Sequence, residues 1–170
     1  MDERRLLELE PDMVVAVKEE NSRENVEKIQ AAGVPVFVGA PESVEGALWF
    51  LRELAQVVEA PRVETVLGPI ERVYGRLREV GPRAEAQRFF APIWKNPYMS
   101  VGSDTYAHDV LETCGGENVC GGSTPYPIFT LEEVEAAQPE IVLLPDEPYP
   151  FSAEDLGEFC IPSTNSCSLS

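Results

Sequence analysis

The apolar residues of the chain follow two rhythms. "MVVAV" (13–17), "VPVFV" (34–38), "RFFAPIW" (88–94) and "EIVLL" (140–144) are short runs with little polar interruption. That is the pattern of strands in a parallel sheet, and the unbroken "MVVAV" reads as a strand buried on both faces. Elsewhere apolar residues recur at helical spacing. Val44, Leu48, Leu51, Leu54 and Val58 predict a helix between Pro41 and Val58. Val63, Val66, Leu67, Ile70, Val73, Tyr74, Leu77 and Val80 form one stripe of a second, long helix. Gly68-Pro69 falls inside that stripe, and a proline in a helix interior costs about 3 kcal/mol, which predicts a kink or a break there. "GPR" (81–83) ends the run.

Local signals set the remaining boundaries. Residues 3–9 read as a short helix stopped by Pro11. Asn21 and Glu24 have the spacing of a helix N-cap with its reciprocal partner; that helix runs to Gly33 as C-cap, with Pro35 following. "KNPYMSVGSD" (95–104) reads as a loop, and "TYAHDVLETCGG" (105–116) as a helix closed by a glycine pair. Thr130 and Glu133 match a capping box for a helix that Pro139 stops, and Ser152 with Asp155 opens a last helix. Strands alternating with helices make the fold class α/β, and strand–helix–strand over residues 13–38 is a right-handed parallel crossover.

Much of this order occurs twice. At a spacing of 128 residues Pro11 falls on Pro139, Asp12 on Glu140, Met13-Val14-Val15 on Ile141-Val142-Leu143, and Glu19 on Glu147. Each copy runs helix, proline, acidic residue, strand, acidic loop, helix. Chance likeness of two α/β loops is the alternative to a repeat. As a repeat, it predicts two similar lobes joined by the long helix, with a ligand cleft where the strand-end loops meet.

Composition narrows the function. With 44% hydrophobic residues in 170, the chain has enough apolar content for one core or two small ones. A net charge of -17 argues against nucleic acid or an anionic membrane as partner. No apolar window reaches transmembrane length, so no direct membrane insertion is expected, and "MDERRLLELE" lacks the features of a signal peptide, which makes the chain cytoplasmic as written. The four cysteines (Cys114, Cys120, Cys160, Cys167) have no CxxC spacing and His108 is the only histidine, so no metal site is expected. Cys114 and Cys120 flank "GGENV", and both a disulfide and a buried free thiol are open readings. G-x-S-x-G, P-loop and G-x-G-x-x-G motifs are absent.

"WKNPYMSVGSDTYAHDVLETCGGENV" followed by "YPIFTLEEVEAAQPEIVLLPDEPYPF" resembles the second lobe of the helical-backbone substrate-binding proteins of vitamin B12 and iron-siderophore ABC importers. "LLELEPDMVVAVKEENSRENVEKIQAAGVPVFV" resembles part of their first lobe. The resemblance covers roughly residues 2–159. It implies two Rossmann-like lobes with parallel sheets joined by a long backbone helix, both lobes incomplete: a partial N-terminal lobe (1–59), a connecting helix (60–86), a partial C-terminal lobe (87–159) and a disordered tail (160–170). It also implies a non-catalytic protein that binds a corrinoid, haem or ferric chelate between its lobes, with no covalent cofactor, and delivers it to a membrane permease outside the cytoplasm.

By position the resemblance assigns Trp94, Asn96, Tyr98, Tyr126, Glu147 and Tyr149 to the ligand, and Glu132 and Glu24 to permease docking; the family's first-lobe docking position itself falls on Arg23. Rigid rings covering a flat chelate at low entropy cost give the aromatic positions their physical sense. Phe151 reads as ordinary packing. Three departures stand out. The family's opening strand and helix are missing, Val17 replaces an aromatic that some B12 binders carry, and "CIPSTNSCSLS" is unlike the family's continuation, as in a fragment or a shifted frame. Two other functions compete: a chelatase-like enzyme using Glu147 and His108, and a fragment without function of its own.

Overall fold

The computed structural model describes residues 3–80, 85–122, 124–159 and 166–169. The chain divides into two compact units, one built from Met1–Pro41 and Glu45–Thr65, the other from Glu42–Val44 and Val66–Ser170.

The first unit contains α1 (Glu3–Leu7), β1 (Val14–Val17), α2 (Arg23–Ala31), β2 (Val36–Gly39) and nearly all of α3 (Val44–Val57). β1 and β2 pair in parallel, Val14 opposite Val36 through Val17 opposite Gly39, as the crossover reading requires. The cap of α2 lies one residue later than the spacing predicts. Ser22 Oγ accepts the Asn25 N–H at 3.3 Å, while Asn21 Nδ2 donates to the Val17 carbonyl at 3.0 Å. The asparagine is drawn back to the open strand end, and the serine takes its place. At the other end Gly33 has φ +86°, and the Val34 N–H reaches the Ile29 carbonyl at 3.3 Å, a helix stop that glycine adopts without steric cost.

β1 is not buried on both faces: Ala16 is buried, but Val15 is 45% exposed and Val38, opposite Ala16 on β2, is 48% exposed. A two-stranded sheet consists of two edges, so side chains on either face reach solvent. What core there is on the α3 side comes from Phe37 stacked on Phe50 at 5.3 Å. A Cβ on Gly39 would come within 2.4 Å of the Phe50 ring, so glycine lets α3 approach the sheet there.

α4 (Val63–Val80) is one helix through Pro69, where a break was the alternative to a kink. Proline removes one N–H and crowds one carbonyl, and the turns on either side keep their own bonds. Leu67 is buried, but Val66, Ile70, Val73, Leu77 and Val80 of its apolar stripe are exposed. "GPR" lies outside the described residues.

The second unit adds β3 (Gln87–Phe90), β4 (Pro92–Trp94), β5 (Tyr98–Ser100), α5 (Tyr106–Thr113), β6 (Gly116–Asn118), β7 (Ile128–Phe129), α6 (Leu131–Ala137), β8 (Ile141–Leu144), α7 (Leu156–Phe159) and β9 (Ser166–Leu169). β6, β3, β8 and β9 form a parallel sheet in that order. Phe90, Val142 and Leu144 pack into one cluster, and Phe89, Ile141 and Leu143 belong to another, so the two-faced burial expected of "MVVAV" occurs here instead.

Three local readings need correction. "RFFAPIW" is two strands, because the chain leaves the parallel sheet at Ala91 and enters an antiparallel sheet of order β4-β5-β7. Pro92 lacks the N–H that a central strand needs, which favours the switch at that point. "KNPYMSVGSD" therefore holds a strand, β5. Within the tail expected to be disordered, Ser166–Leu169 pairs in parallel with β8, Ile141 opposite Ser166. The open edge of β8 offers backbone groups that a polar segment can pair with as well as an apolar one. Residues 160–165 and 170 lie outside the described residues.

The internal repeat has a backbone counterpart. Glu10 (φ 49°) and Gln138 (φ 50°), 128 positions apart, both sit in the left-handed region after a short helix, and each is followed by a proline and a parallel strand.

The "GGENV" segment joins the two sheets. Gly115 turns the chain out of α5 at φ +96°, and a Cβ on Gly116 would meet the Phe89 ring at 2.6 Å. Asn118, 7% exposed, donates from Nδ2 to the Val101 carbonyl at 2.9 Å and faces His108 Nδ1 at 3.0 Å; its Oδ1 accepts the Cys120 N–H at 2.9 Å. Asn118→Ala leaves a buried N–H and a buried carbonyl without these partners. It is expected to destabilise the protein by about 2–4 kcal/mol in urea unfolding, against about 0.5 kcal/mol or less for Glu117→Ala beside it.

Candidate functional site

Trp94 ends β4 and Tyr98 begins β5, with Lys95, Asn96 and Pro97 between them. Asn96 takes φ 65°, a conformation that asparagine tolerates better than most residues. After β8, the segment Pro145–Asp155 carries Glu147, Tyr149 and Phe151. Both segments leave the carboxyl ends of parallel strands, β3 by way of β4 and β8 directly.

Aromatic rings hold the two segments together. Trp94 meets Tyr149 edge-on at 5.8 Å, Tyr149 lies 4.6 Å from Phe151, Phe151 packs on Phe159 at 6.1 Å, and Tyr98 packs on Phe159 at 5.3 Å. Exposure is graded along this chain. Phe159 and Phe151 are buried, Tyr98 and Tyr149 half-buried, and Trp94 43% exposed. Phe151 is core, as its reading as packing requires.

A clamp beneath the rings fixes the hairpin. Lys95 Nζ donates to Asp155 Oδ1 at 2.7 Å and to Glu158 Oε1 at 2.8 Å, with the lysine side chain 18% exposed. The Tyr98 hydroxyl donates to Glu158 Oε2, and Asp155 Oδ2 accepts the Ser152 N–H at 2.9 Å and hydroxyl at 3.1 Å. The lysine holds both carboxyls below their ordinary range, helped by the Ser152 N–H at Asp155 and by Tyr98 at Glu158. Lys95 itself is raised by Asp155 and then Glu158, and burial followed by the Glu158 bond pushes the Tyr98 phenol up to about 12. Reading the sequence passed over this clamp. The available signal is that Lys95 is the only Lys or Arg after Arg88, so a cation alone among carboxylates had partners to hand.

Of the six ligand candidates, Trp94, Asn96, Tyr98, Glu147 and Tyr149 lie on these two segments. Tyr126, 40% exposed, sits on a different stretch, whose Pro125 and Pro127 carbonyls accept the Gly102 and Ser100 N–H groups alongside β5. Glu132 is in the first turn of α6, where its own N–H and the Thr130 hydroxyl lower its pKa. Glu24 opens α2 and pairs with Lys28 at 3.0 Å.

His108 lies between Asn118, at Nδ1, and Glu112, at 3.5 Å from Nε2, so both its nitrogens have structural partners. Cys114 and Cys120 are free thiols, and burial pushes the Cys120 thiol up. Among the described residues no group of acidic, histidine or cysteine side chains is arranged to hold a metal, and no helix is long and apolar enough to cross a membrane. A concavity of about 770 Å³ with Gln87, Phe89, Gly116 and Glu140 in its lining lies at the amino ends of β3, β6 and β8. Ligands of open parallel sheets bind beyond the carboxyl ends, which favours the Trp94–Tyr149 wall.

The clamp has a defined pH signature. Asp155 and Glu158, depressed in the fold, contribute stability that is complete above their ordinary values and lost as pH falls through the lowered ones; Lys95, raised, contributes below its ordinary value and loses this as pH rises through the raised one. The melting-temperature gap between wild type and Lys95→Met should therefore be level from about pH 5 to 9 and close below about pH 4. In a near-ultraviolet titration of the five tyrosines, the step near 12 should vanish in Tyr98→Phe.

No protein-family model matches the chain. The vitamin B12-binding protein of Vibrio campbellii (strain ATCC BAA-1116) is 28% identical over 140 residues, 81% of this chain and 51% of that protein. The vitamin B12-binding protein of Salmonella typhi is 29% identical over 146 residues, 85% and 55%. A periplasmic haem-binding protein from Pseudomonas aeruginosa superposes with TM-score 0.76 at 18% identity, over 94% of this chain and 59% of that one. The chain thus spans about half the length of the curated relatives it matches. By sequence the chain is similar to about half of these vitamin B12-binding proteins, and its fold matches part of that of the periplasmic haem-binding protein.

Proposed function

We propose that the chain holds a metal chelate of the corrinoid, haem or ferric-siderophore class, without chemistry, for hand-over to an ABC importer permease. The observation that carries this reading is the half-open ring pair Trp94–Tyr149 at the carboxyl ends of the parallel strands of the second unit. An indole left 43% exposed yet fixed by a neighbouring ring and a half-buried lysine clamp is a rigid apolar surface whose ordering has already been met by folding. A flat macrocycle gains most from such a surface, because its weakly hydrated face leaves water without either partner losing rotamer freedom. Asn96 and Glu147 supply polar groups at the edge. Tyr126 is a further contact, and Glu132 and Glu24 are the permease contacts. Relatives named for vitamin B12 and a fold neighbour named for haem support the class of ligand. The intact protein's place of action on this reading is outside the cytoplasm, as for its periplasmic neighbours.

A chelatase reading needs a histidine able to exchange protons with substrate, and both nitrogens of His108 are engaged within the fold.

Titration with cyanocobalamin, haemin and a ferric siderophore, followed by visible absorbance and tryptophan quenching, tests the proposal. At least one should bind, and Trp94→Ala should weaken it about tenfold to a hundredfold, the loss of roughly 1.5–3 kcal/mol of covered ring. No response from a folded sample to any of the three refutes it. Glu132→Arg should leave ligand binding unchanged and abolish stimulation of the importer's ATPase; an unaltered stimulation removes Glu132 from the docking surface.

A further inference from the structure

From Phe89 to the end of the chain, Lys95 is the only Lys or Arg, among many Asp and Glu residues. It sits next to Trp94, where a cation would meet an acidic edge group of any ligand on the indole. It is turned away from that task, because Asp155 and Glu158 take its ammonium at 2.7 and 2.8 Å and leave the side chain 18% exposed. The segment that carries Tyr149 presents carboxylate: Asp146, Glu147 and Glu154 are all exposed on it.

We infer that this wall is a charge filter: it accepts a flat chelate that is neutral or cationic and disfavours one with anionic edge groups, with Glu147 as a specificity-determining residue and Lys95 as a cation withheld from the ligand. The inference rests on the proposed binding reading and narrows its ligand class. An anionic ligand brings carboxylates or phenolates toward Glu147, with Lys95 already held by Asp155 and Glu158, and the repulsion is strongest at low salt. A neutral corrinoid edged with amides loses nothing there. A cationic form gains from Glu147, in a way that added salt weakens.

Four probes separate the cases: cyanocobalamin (neutral), aquacobalamin (cationic), haemin with its two propionates, and a ferric tris-catecholate (trianionic). At low salt the expected order of affinity is aquacobalamin, cyanocobalamin, haemin, catecholate, with haemin at least about tenfold weaker than cyanocobalamin. Rising salt should draw the two cobalamins together. Glu147→Gln should remove the preference for aquacobalamin over cyanocobalamin and strengthen haemin several-fold. Glu158→Gln, which loosens the hold on Lys95, should strengthen haemin relative to cyanocobalamin; its far-ultraviolet spectrum and melting curve check that the fold is kept. Haemin or the catecholate binding as tightly as the cobalamins overturns the filter while leaving the binding reading intact. So does a Glu147→Gln variant with unchanged ratios. Binding of none of the four overturns both.

Discussion

The packing of rings around Phe159 is the constraint on which the second unit's candidate site depends. Phe159 is 1% exposed and is touched by Phe90 from the parallel sheet, Tyr98 from the antiparallel sheet and Phe151 from the segment after β8, at 6.2, 5.3 and 6.1 Å. Three chain segments far apart in sequence thus meet at one side chain. The rings cross edge to face or tilted, an arrangement that fixes relative angles as well as distances. Tyr149 stands on Phe151 and Trp94 on Tyr149, so the orientation of the exposed indole is inherited from a buried core. Lys95 closes the same assembly from below, its two carboxylate partners lying on the turn and helix that bring in Phe159.

A second set of contacts holds the two sheets of that unit in register with each other. Asn118 at the end of β6 bonds forward to Cys120 and across to Val101, and the space its strand occupies against Phe89 exists only because residue 116 has no Cβ. The "GGENV" pattern is therefore a set of tertiary requirements written locally: a left-handed turn at Gly115, a close approach at Gly116 and a buried amide at Asn118 that meets backbone groups on two sides. Glu117 points outward to Arg88, at 3.9 Å, and is the replaceable member.

The first unit is held more lightly. Its sheet has two strands, its best-defined aromatic contact is Phe37 on Phe50, and several valines that read as core are open to solvent. The matched backbone at Glu10 and Gln138 shows that the same helix–proline–strand device serves both units, while the number of strands around it differs.

Much of the architecture was legible in the residues: the parallel crossover, the capping box at Thr130, the helical stripe of α4 and the 128-residue repeat all follow from periodicity and from the few residues that tolerate helix ends. These are local matters, decided by backbone sterics and by which face of an element is apolar. The resemblance named the aromatic and acidic positions, yet it could not tell that Tyr98 and Lys95 are tied to Glu158, or that "RFFAPIW" changes sheets at Ala91. An apolar run reads alike whether its neighbours cover it or not, so Val15 looked like core and the exposure of the α4 stripe was not foreseen. By itself the sequence determined the alternation of helices with apolar strands and the acidic character of the chain. Only the tertiary structure decided which strands lie together, which rings stay buried and which carboxylates claim Lys95, because those outcomes depend on groups some sixty positions apart meeting in space.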